Sequence, residues 1–378
     1  MRRLEGGRKR ILVAMSGGVD SSTVAGLLVE AGHDVFGVLM KLYDNEVADT
    51  EARQCCGLDD VEDARRVADH LGIPFYVVNY QEVFQEQVID RFVDDYVNGR
   101  TPNPCVRCND HVKFEPLLER ARALGADLLA TGHYAQTRTD EEGRVSLWRG
   151  RDTGKDPRYF LAGISAEALE RVVFPLGGLS KDEVRHHAER LGLPVAQKRD
   201  SQEICFVPGD DYAAFVESRA GDRLPGPGAI VSLDGTRLGR HSGLHRYTVG
   251  QRKGLGISAG APLYVANVDL AENQLVVGDR DAVRAWGVEA SEPSWVAEPP
   301  REGDEVQIQV RYRHGGVVGR VVHLDHGRLS LRFDAPVTAV TPGQQLVLYR
   351  GEQALGSATI EAADRAPSVE RPEGTHGT

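Results

Sequence analysis

A chain of 378 residues with 41% hydrophobic and 27% charged residues has the composition of a water-soluble globular protein, and its length calls for two or three domains. No stretch approaches the roughly 20 apolar residues of a membrane span, and the basic residues 1–10 run into the first apolar segment without a signal-like core, so no membrane partner and a cytoplasmic location are expected. Five clustered cysteines exclude a disulfide framework and point to reactivity or metal binding in a reducing compartment.

The net charge of −11 argues at first against a polyanionic partner, but its distribution is uneven. Residues 235–254 hold no acidic side chain, yet contain Arg237, Arg240, Arg246, Arg252 and Lys253; a second segment carries Arg311, Arg313, Arg320, Arg328 and Arg332 against only Asp325. Such stripes suit RNA binding or are simply solvated loops.

In chain order, the apolar strand Ile11-Leu12-Val13-Ala14-Met15 leads into Ser16-Gly17-Gly18-Val19-Asp20-Ser21-Ser22 and then a helix signalled by Val24, Ala25, Leu27 and Leu28. Two glycines free of Cβ let the backbone N–H groups close around phosphate oxygens, and the helix N-terminus faces the same anion. The Lys-Ser/Thr pair of a Walker A loop is missing, which argues against γ-phosphoryl transfer. A glycine-rich turn without a ligand is the plain alternative. The pattern resembles the PP-loop ATPases, which cleave ATP between the α and β phosphates and activate a substrate oxygen as its AMP ester.

Residues 34–40 read as a second, doubly buried strand that ends at Met40 near the nucleotide. Helices are expected over 59–71, 82–96, 114–124 and 181–191, with strands at 75–78 and 128–131. This alternation predicts an α/β domain with a parallel sheet whose ligands lie beyond the carboxyl ends of the strands, where Ser16, Met40, Gly132 and His133 fall. After about residue 219 short β-rich runs dominate, at 226–233, 263–268, 275–277, 306–310, 317–324, 329–333 and 345–349, which suggests a small barrel. Pro293, Pro299 and Pro300 mark a boundary within 289–301. The domains expected are 1–215, 216–288 and 289–363, with a disordered polar tail over 364–378.

Thr101-Pro102-Asn103-Pro104-Cys105-Val106-Arg107-Cys108-Asn109 reads as a proline-stiffened loop that presents two thiols, with Arg107 and Lys113 favouring a thiolate at either sulfur. The pair is equally half of a zinc site that Cys205 completes in space, or two buried thiols. Adjacent Cys55 and Cys56 are poorly arranged for joint ligation and read as structural or incidental.

These segments, together with Ala130-Thr131-Gly132-His133-Tyr134, Asp200-Ser201 leading to Ile204-Cys205-Phe206, and Gly250-Gln251-Arg252-Lys253-Gly254-Leu255-Gly256, resemble the bacterial tRNA-specific 2-thiouridylases, the MnmA/TrmU family, in order and spacing to about residue 361. The resemblance implies a PP-loop ATPase domain, a small central domain and a C-terminal β-barrel. It implies conversion of the wobble uridine of lysine, glutamate and glutamine tRNAs to 2-thiouridine, with ATP and Mg²⁺. Sulfur would come as a persulfide from a cysteine desulfurase or relay protein, and the enzyme would meet the tRNA anticodon arm as a monomer. By the same resemblance Cys108 is the nucleophile, Cys205 is the persulfide carrier that forms a transient disulfide with it, and Ala14, Met15, Ser16, Gly17, Gly18, Val19, Asp20, Ser21, Met40 and Gly132 bind ATP. His133, Lys155, Asp156, Pro157, Arg311, Tyr312 and Gln344 contact tRNA, while Asn103, Pro104 and Cys105 meet the target base.

Two departures stand out. Many relatives have Asp where this chain has Cys105, and Gln202-Glu203 replaces Thr-Gly or a similar pair. The third thiol opens a second chemistry, in which Cys105, Cys108 and Cys205 hold a 4Fe-4S cluster whose open iron binds sulfide.

In chemical terms, the uridine C2 oxygen is a poor leaving group, so adenylation must precede sulfur attack. The persulfide sulfur then attacks C2 directly or is released as sulfide by Cys108. An adenylating enzyme with a small-molecule substrate leaves the cysteines and the basic half unexplained. An RNA-binding protein with a regulatory ATP site is separated from the enzyme by whether cognate tRNA triggers pyrophosphate release.

Overall fold

The computed structural model describes residue 4 and residues 7–43, 58–199, 204–258 and 260–365. The first half of the chain supplies β1 (Arg10–Ala14), β2 (Asp34–Lys41), β3 (Phe75–Asn79), β4 (Leu128–Ala130), β5 (Ala135–Thr139), β6 (Val145–Arg149) and β7 (Val172–Val173). Of these, β1 to β4 and β7 form a parallel sheet in the order β3-β2-β1-β4-β7, as the strand–helix alternation predicts.

Alternation along the strands divides the core. Ile11, Val13, Val35 and Leu39 enter one buried cluster with residues of α1 (Val19–Glu30), α2 (Leu58–Leu71) and the helix Lys181–Arg190. Leu12, Phe36, Val38 and Met40 enter a second cluster with Phe84, Phe92, Cys108, Val112 and Phe114. Burial on both faces explains why β1 and β2 are continuous apolar runs.

Two long helices on that second face differ from expectation. Residues 81–97 form one helix with a π-helical stretch, Gln85–Asp90, in its middle. The next starts at Pro104, not near residue 114, and runs as Pro104–Cys108, a π-helical turn Asn109–Phe114, and Glu115–Ala123. The cysteine segment is therefore a helix start rather than a loop. Asn103 caps it by accepting the Val106 N–H at 3.3 Å, and Pro104 occupies the first turn, where its missing N–H costs nothing.

The hairpin β5–β6, which periodicity did not reveal, lies outside the parallel sheet and pairs through β6 with a strand near the chain's end. Beyond it, β8 (Gly228–Ser232), β9 (Arg237–His241), β10 (Tyr264–Asp269) and β11 (Gln274–Gly278) make a small sheet in the order β10-β11-β8-β9 around Ile230, Val265, Leu275 and Val277. A closed six-stranded barrel follows: β12 (Arg284–Trp295), β13 (Glu305–Gln309), β14 (Val317–Leu324), β15 (Arg328–Thr338), β16 (Gln345–Arg350) and β17 (Gln353–Asp364), with β12 pairing both β15 and β17. Strand β12 runs straight through Pro293. A register shift between Ser291 and Ser294, with Glu292 at φ +51°, lets it absorb a residue that cannot donate to the ladder. Among the described residues no helix is long and apolar enough to cross a membrane.

The parts interlock through buried polar contacts. Arg158, 5% exposed, pairs with Asp156 at 2.8 Å, donates to the Glu352 carbonyl at 2.7 Å and lies over the Tyr349 ring. Tyr159 donates its hydroxyl to the Gln345 carbonyl at 2.7 Å, and the Gln344 amide donates to the Thr101 carbonyl at 2.9 Å. Phe92 is the hub of the aromatic packing, with ring centroids 5.1 Å from Tyr96, 5.2 Å from Phe206 and 6.2 Å from Phe215. Phe92→Ala is expected to cost about 3–5 kcal/mol, because the surrounding rings cannot close the void; a lower urea midpoint checks this, and an unchanged midpoint would contradict it.

Candidate functional site

The chemistry-bearing residues gather at the carboxyl ends of β1, β2 and β4. After Ala14 and Met15 the chain turns tightly: the Ser16 N–H donates to the Ser21 hydroxyl at 3.1 Å, and the two serine hydroxyl oxygens lie 3.2 Å apart. Gly17 sits at φ +69°, and a Cβ there would lie 2.4 Å from the Asp60 carbonyl oxygen. Gly132 is held as closely, since a Cβ would lie 2.9 Å from the Ser21 nitrogen. Gly18 caps α1 without a side-chain bond, which leaves the first N–H groups of the helix to an anion. Val19 is buried in the core, so its side chain faces no ligand.

Beside this turn lies a pocket of about 250 Å³ whose walls include Ala14, Met15, Ser16, Asp20, Ser21, Met40, Gly132 and His133. Its floor is apolar, from Val38, Leu42, Leu117 and Leu129, as a nucleobase requires, and its rim is hydroxyl-rich, as phosphate requires. Two lysines that pattern reading missed brace the turn. Lys181 binds both Asp20 oxygens at 2.7 and 2.9 Å, and the Tyr134 hydroxyl donates to Asp20 at 2.7 Å. Lys198 donates to the Gly17 carbonyl at 3.1 Å and pairs with Asp60 at 2.6 Å and with Asp63. Such long-range partners carry no local signal.

His133, expected among RNA contacts, lines this pocket beside the glycine-serine turn. Burial, reinforced by the charge of Lys113, pushes its pKa down to about 3, so the ring is neutral and Nδ1 lies 2.9 Å from the Thr131 hydroxyl.

The cysteines divide. Cys105 is exposed, Cys108 is 6% exposed within the Met40–Phe114 cluster, and Cys205 packs at the border of that same cluster beside Phe206. Contrary to expectation, Cys108 is not held as a thiolate: burial raises its pKa, and Lys113 offsets this only in part. Arg107 is turned away and donates its Nε–H to the Gln87 carbonyl at 2.8 Å. Among the described residues no three His, Cys, Asp or Glu side chains converge to hold a metal. Cys55, Cys56, Asp200 and Ser201 lie outside the described residues.

Asp110, which the motif reading passed over, has an oxygen buried without a hydrogen-bond partner and lines a cavity of about 990 Å³ between the cysteine helix and the barrel, together with Asn103 and Pro104. Burial raises its pKa to about 7.

Five of the seven residues expected to meet RNA line two grooves; His133 lines the pocket above and Pro157 lines neither groove. Lys155, Asp156 and Tyr312 line one of about 800 Å³, where the Phe160 and Tyr312 rings lie 4.6 Å apart. Arg311 and Gln344 line another of about 580 Å³. Asp156 and Gln344 serve the structural contacts described above, and Arg311 donates to the Thr338 carbonyl at 2.8 Å. The basic stripes are also less cationic than their sequence: Arg246 pairs with Glu217 at 2.6 Å, Arg320 with Glu305 at 3.5 Å and Arg332 with Asp364, while Arg240, Arg252 and Lys253 stay exposed.

Comparison with known proteins is consistent from end to end. The tRNA methyl transferase HUP domain model matches residues 9–209, the tRNA methyl transferase PRC-barrel domain model 213–279, and the aminomethyltransferase beta-barrel domain model 286–360. The tRNA-specific 2-thiouridylase MnmA of Geobacter metallireducens is 52% identical, covering 95% of this chain and 98% of its own. That of Geotalea uraniireducens is 51% identical over 94% and 96%. Among solved structures, a 4-thiouridine synthetase in complex with RNA and bound ATP aligns with a TM-score of 0.37 and 17% identity, covering 57% of this chain and 51% of that one. With a phosphate-cradling turn, two thiols on a shared core and relatives half identical over nearly its whole length, the chain belongs to the family of tRNA-specific 2-thiouridylases, sulfurtransferases built on a PP-loop domain.

Proposed function

We propose that this chain replaces the C2 oxygen of the wobble uridine in lysine, glutamate and glutamine tRNAs with sulfur, in two steps that share one pocket. The observation that carries the reading is the meeting of the phosphate-cradling turn, Met40 and the Cys108 helix at one end of the parallel sheet. First, the C2 oxygen attacks the α-phosphorus of Mg-ATP and the N3 proton is lost, which gives the O²-adenylated base and pyrophosphate. Serine hydroxyls and the N–H groups at the start of α1 stabilise the charge on the departing phosphates, while Asp20, bound to Lys181 and Tyr134, fixes the first turn of that helix. Both Asp20 oxygens are engaged by Lys181, so this carboxylate is occupied within the protein, and Mg²⁺ bound to the triphosphate would supply charge neutralisation.

In the second step a persulfide on Cys205, loaded by a cysteine desulfurase or relay protein, attacks C2, and the C–O bond breaks with its electron pair on AMP. The Cys108 thiolate then attacks the Cys205 sulfur, the S–S bond to the base breaks, and 2-thiouridine leaves a Cys108–Cys205 disulfide for an external dithiol to reduce. Burial opposes ionisation of the Cys108 thiol and Lys113 offsets this in part, so its attack requires loss of the thiol proton against that cost. The wobble base leaves the anticodon stack to reach these groups. Cys105 has no part in this sequence, and no step runs through a cluster.

Purified protein given ATP, unmodified tRNA and a persulfide donor should form 2-thiouridine at the wobble position by mass spectrometry, and product confined to another position would contradict the reading. Cys108→Ser and Cys205→Ser should each abolish thiolation while tRNA-dependent pyrophosphate release persists; near-normal 2-thiouridine in either variant would refute the two-thiol step. Ser16→Ala should slow pyrophosphate release at least tenfold with little change in filter binding of tRNA, whereas equal loss of both would join the two sites. Arg252→Ala should weaken tRNA binding and lower the slope of log affinity against log salt by about one, and an unchanged slope would remove it from the phosphate contacts.

A further inference from the structure

The phosphate-binding turn carries no lysine of its own, and the two lysines that brace it, Lys181 and Lys198, are bound to Asp20 and to Asp60 with Asp63. Neither lines the nucleotide pocket. Lys113 does, in a lining it shares with Ser16, Ser21 and His133, and with His133 neutral it is the cation among the described residues of that wall.

Its position follows from a local irregularity. Lys113 lies in the π-helical turn Asn109–Phe114 that begins directly after Cys108. At 3.6 residues per turn, residues five apart point to different sides of a helix; in a π turn, closed by i→i+5 bonds, they draw towards the same side. The turn thus sets Lys113 on the face that carries Cys108 while Val112 and Phe114 stay in the core. The Lys113 charge acts on both neighbours, lowering the pKa of His133 and opposing the rise at Cys108, so one ammonium is close enough to act on the pocket wall and on the thiol.

We infer that Lys113 is a ligand of the α-phosphate in the activated RNA, holding it through both the departure of pyrophosphate and the departure of AMP. The inference rests on the adenylation reading given above. In the first step a C2–O–P bond forms and the bond to pyrophosphate breaks, leaving charge on the non-bridging α-phosphate oxygens. In the second a C2–S bond forms, the C2–O bond breaks and the electron pair passes to the AMP oxygen. The same phosphate carries the charge both times, and it must lie between the cradle and the sulfur. A fixed ammonium at that point stabilises both transition states without moving. Lys181 and Lys198 are held by Asp20 and by Asp60 with Asp63, outside the pocket lining.

The test compares wild type, Lys113→Met and Lys113→Arg as full-length proteins for pyrophosphate release and 2-thiouridine formation at varied ATP, with filter binding of tRNA and thermal melting alongside. Lys113→Met should lower kcat for pyrophosphate release about 10²–10³-fold, the usual loss for one transition-state donor, with tRNA affinity and melting close to wild type. Lys113→Arg, which keeps the charge, should recover at least tenfold of that loss. A Lys113→Met enzyme with kcat within about threefold of wild type, or a Lys113→Arg enzyme no better than Lys113→Met, overturns the assignment. Parallel loss of melting temperature and tRNA binding in both variants also overturns it, in favour of a packing role. Wild-type protein that releases no pyrophosphate would sink the adenylation step and this assignment with it, whereas normal wild-type release with an unimpaired Lys113→Met enzyme sinks the assignment alone.

Discussion

The constraint on which the pocket depends is backbone against backbone, where Gly17 meets Asp60 and Gly132 meets the first turn of α1. With a Cβ at either glycine lodged within 3 Å of main-chain atoms, no other residue type lets β1, β4, α1 and α2 converge. The convergence points the N-terminal N–H groups of α1 at the space that Met40 and Leu129 floor. Lys198 then ties Gly17 to α2, and Lys181 ties the first turn of α1 to the helix Lys181–Arg190. The charge in the turn is thus arranged from outside it, which is how a phosphate site works without a lysine in its own loop.

The second organising feature is the two-sidedness of the sheet. Because alternate residues of β1 and β2 feed separate clusters, the phosphate turn is anchored in one core and the thiols in the other. The strand ends are where the two meet, so the glycine-serine turn and the Cys108 helix share a boundary while each rests on its own packing.

What the sequence makes legible is what local physics controls. Apolar runs in β1 and β2, the helical spacing of residues 59–71 and 181–191, and the glycine-serine turn all follow from nearest-neighbour chemistry, and the structure has helices at Leu58–Leu71 and Lys181–Arg190. The cysteine segment misled because Pro102 and Pro104 read as loop stiffeners, while Asn103 and Pro104 are a helix cap and its first residue. The expected thiolate failed for a different reason: charge adjacency in sequence said nothing about burial, and at Cys108 desolvation outweighs Lys113. The basic stripes shrank because Glu217, Glu305 and Asp364, distant in sequence, return to neutralise them. The hairpin β5–β6 escaped because its partner lies in the last strand of the barrel.

That hairpin has a consequence for how the protein is made. Gln353 and Ala354 of β17 pair with Trp148 and Leu147 of β6, and the Glu352 carbonyl takes hydrogen bonds from both Arg149 and Arg158. A ribosome adding about 5–20 residues per second delivers β17 some ten seconds or more after β6 has emerged. During that interval the edge of β6 is an open ladder with Arg158 short of one acceptor. The nucleotide-binding part therefore completes its last edge only when synthesis is nearly over, and truncated chains that contain the whole phosphate turn still present an unfinished strand to the chaperones.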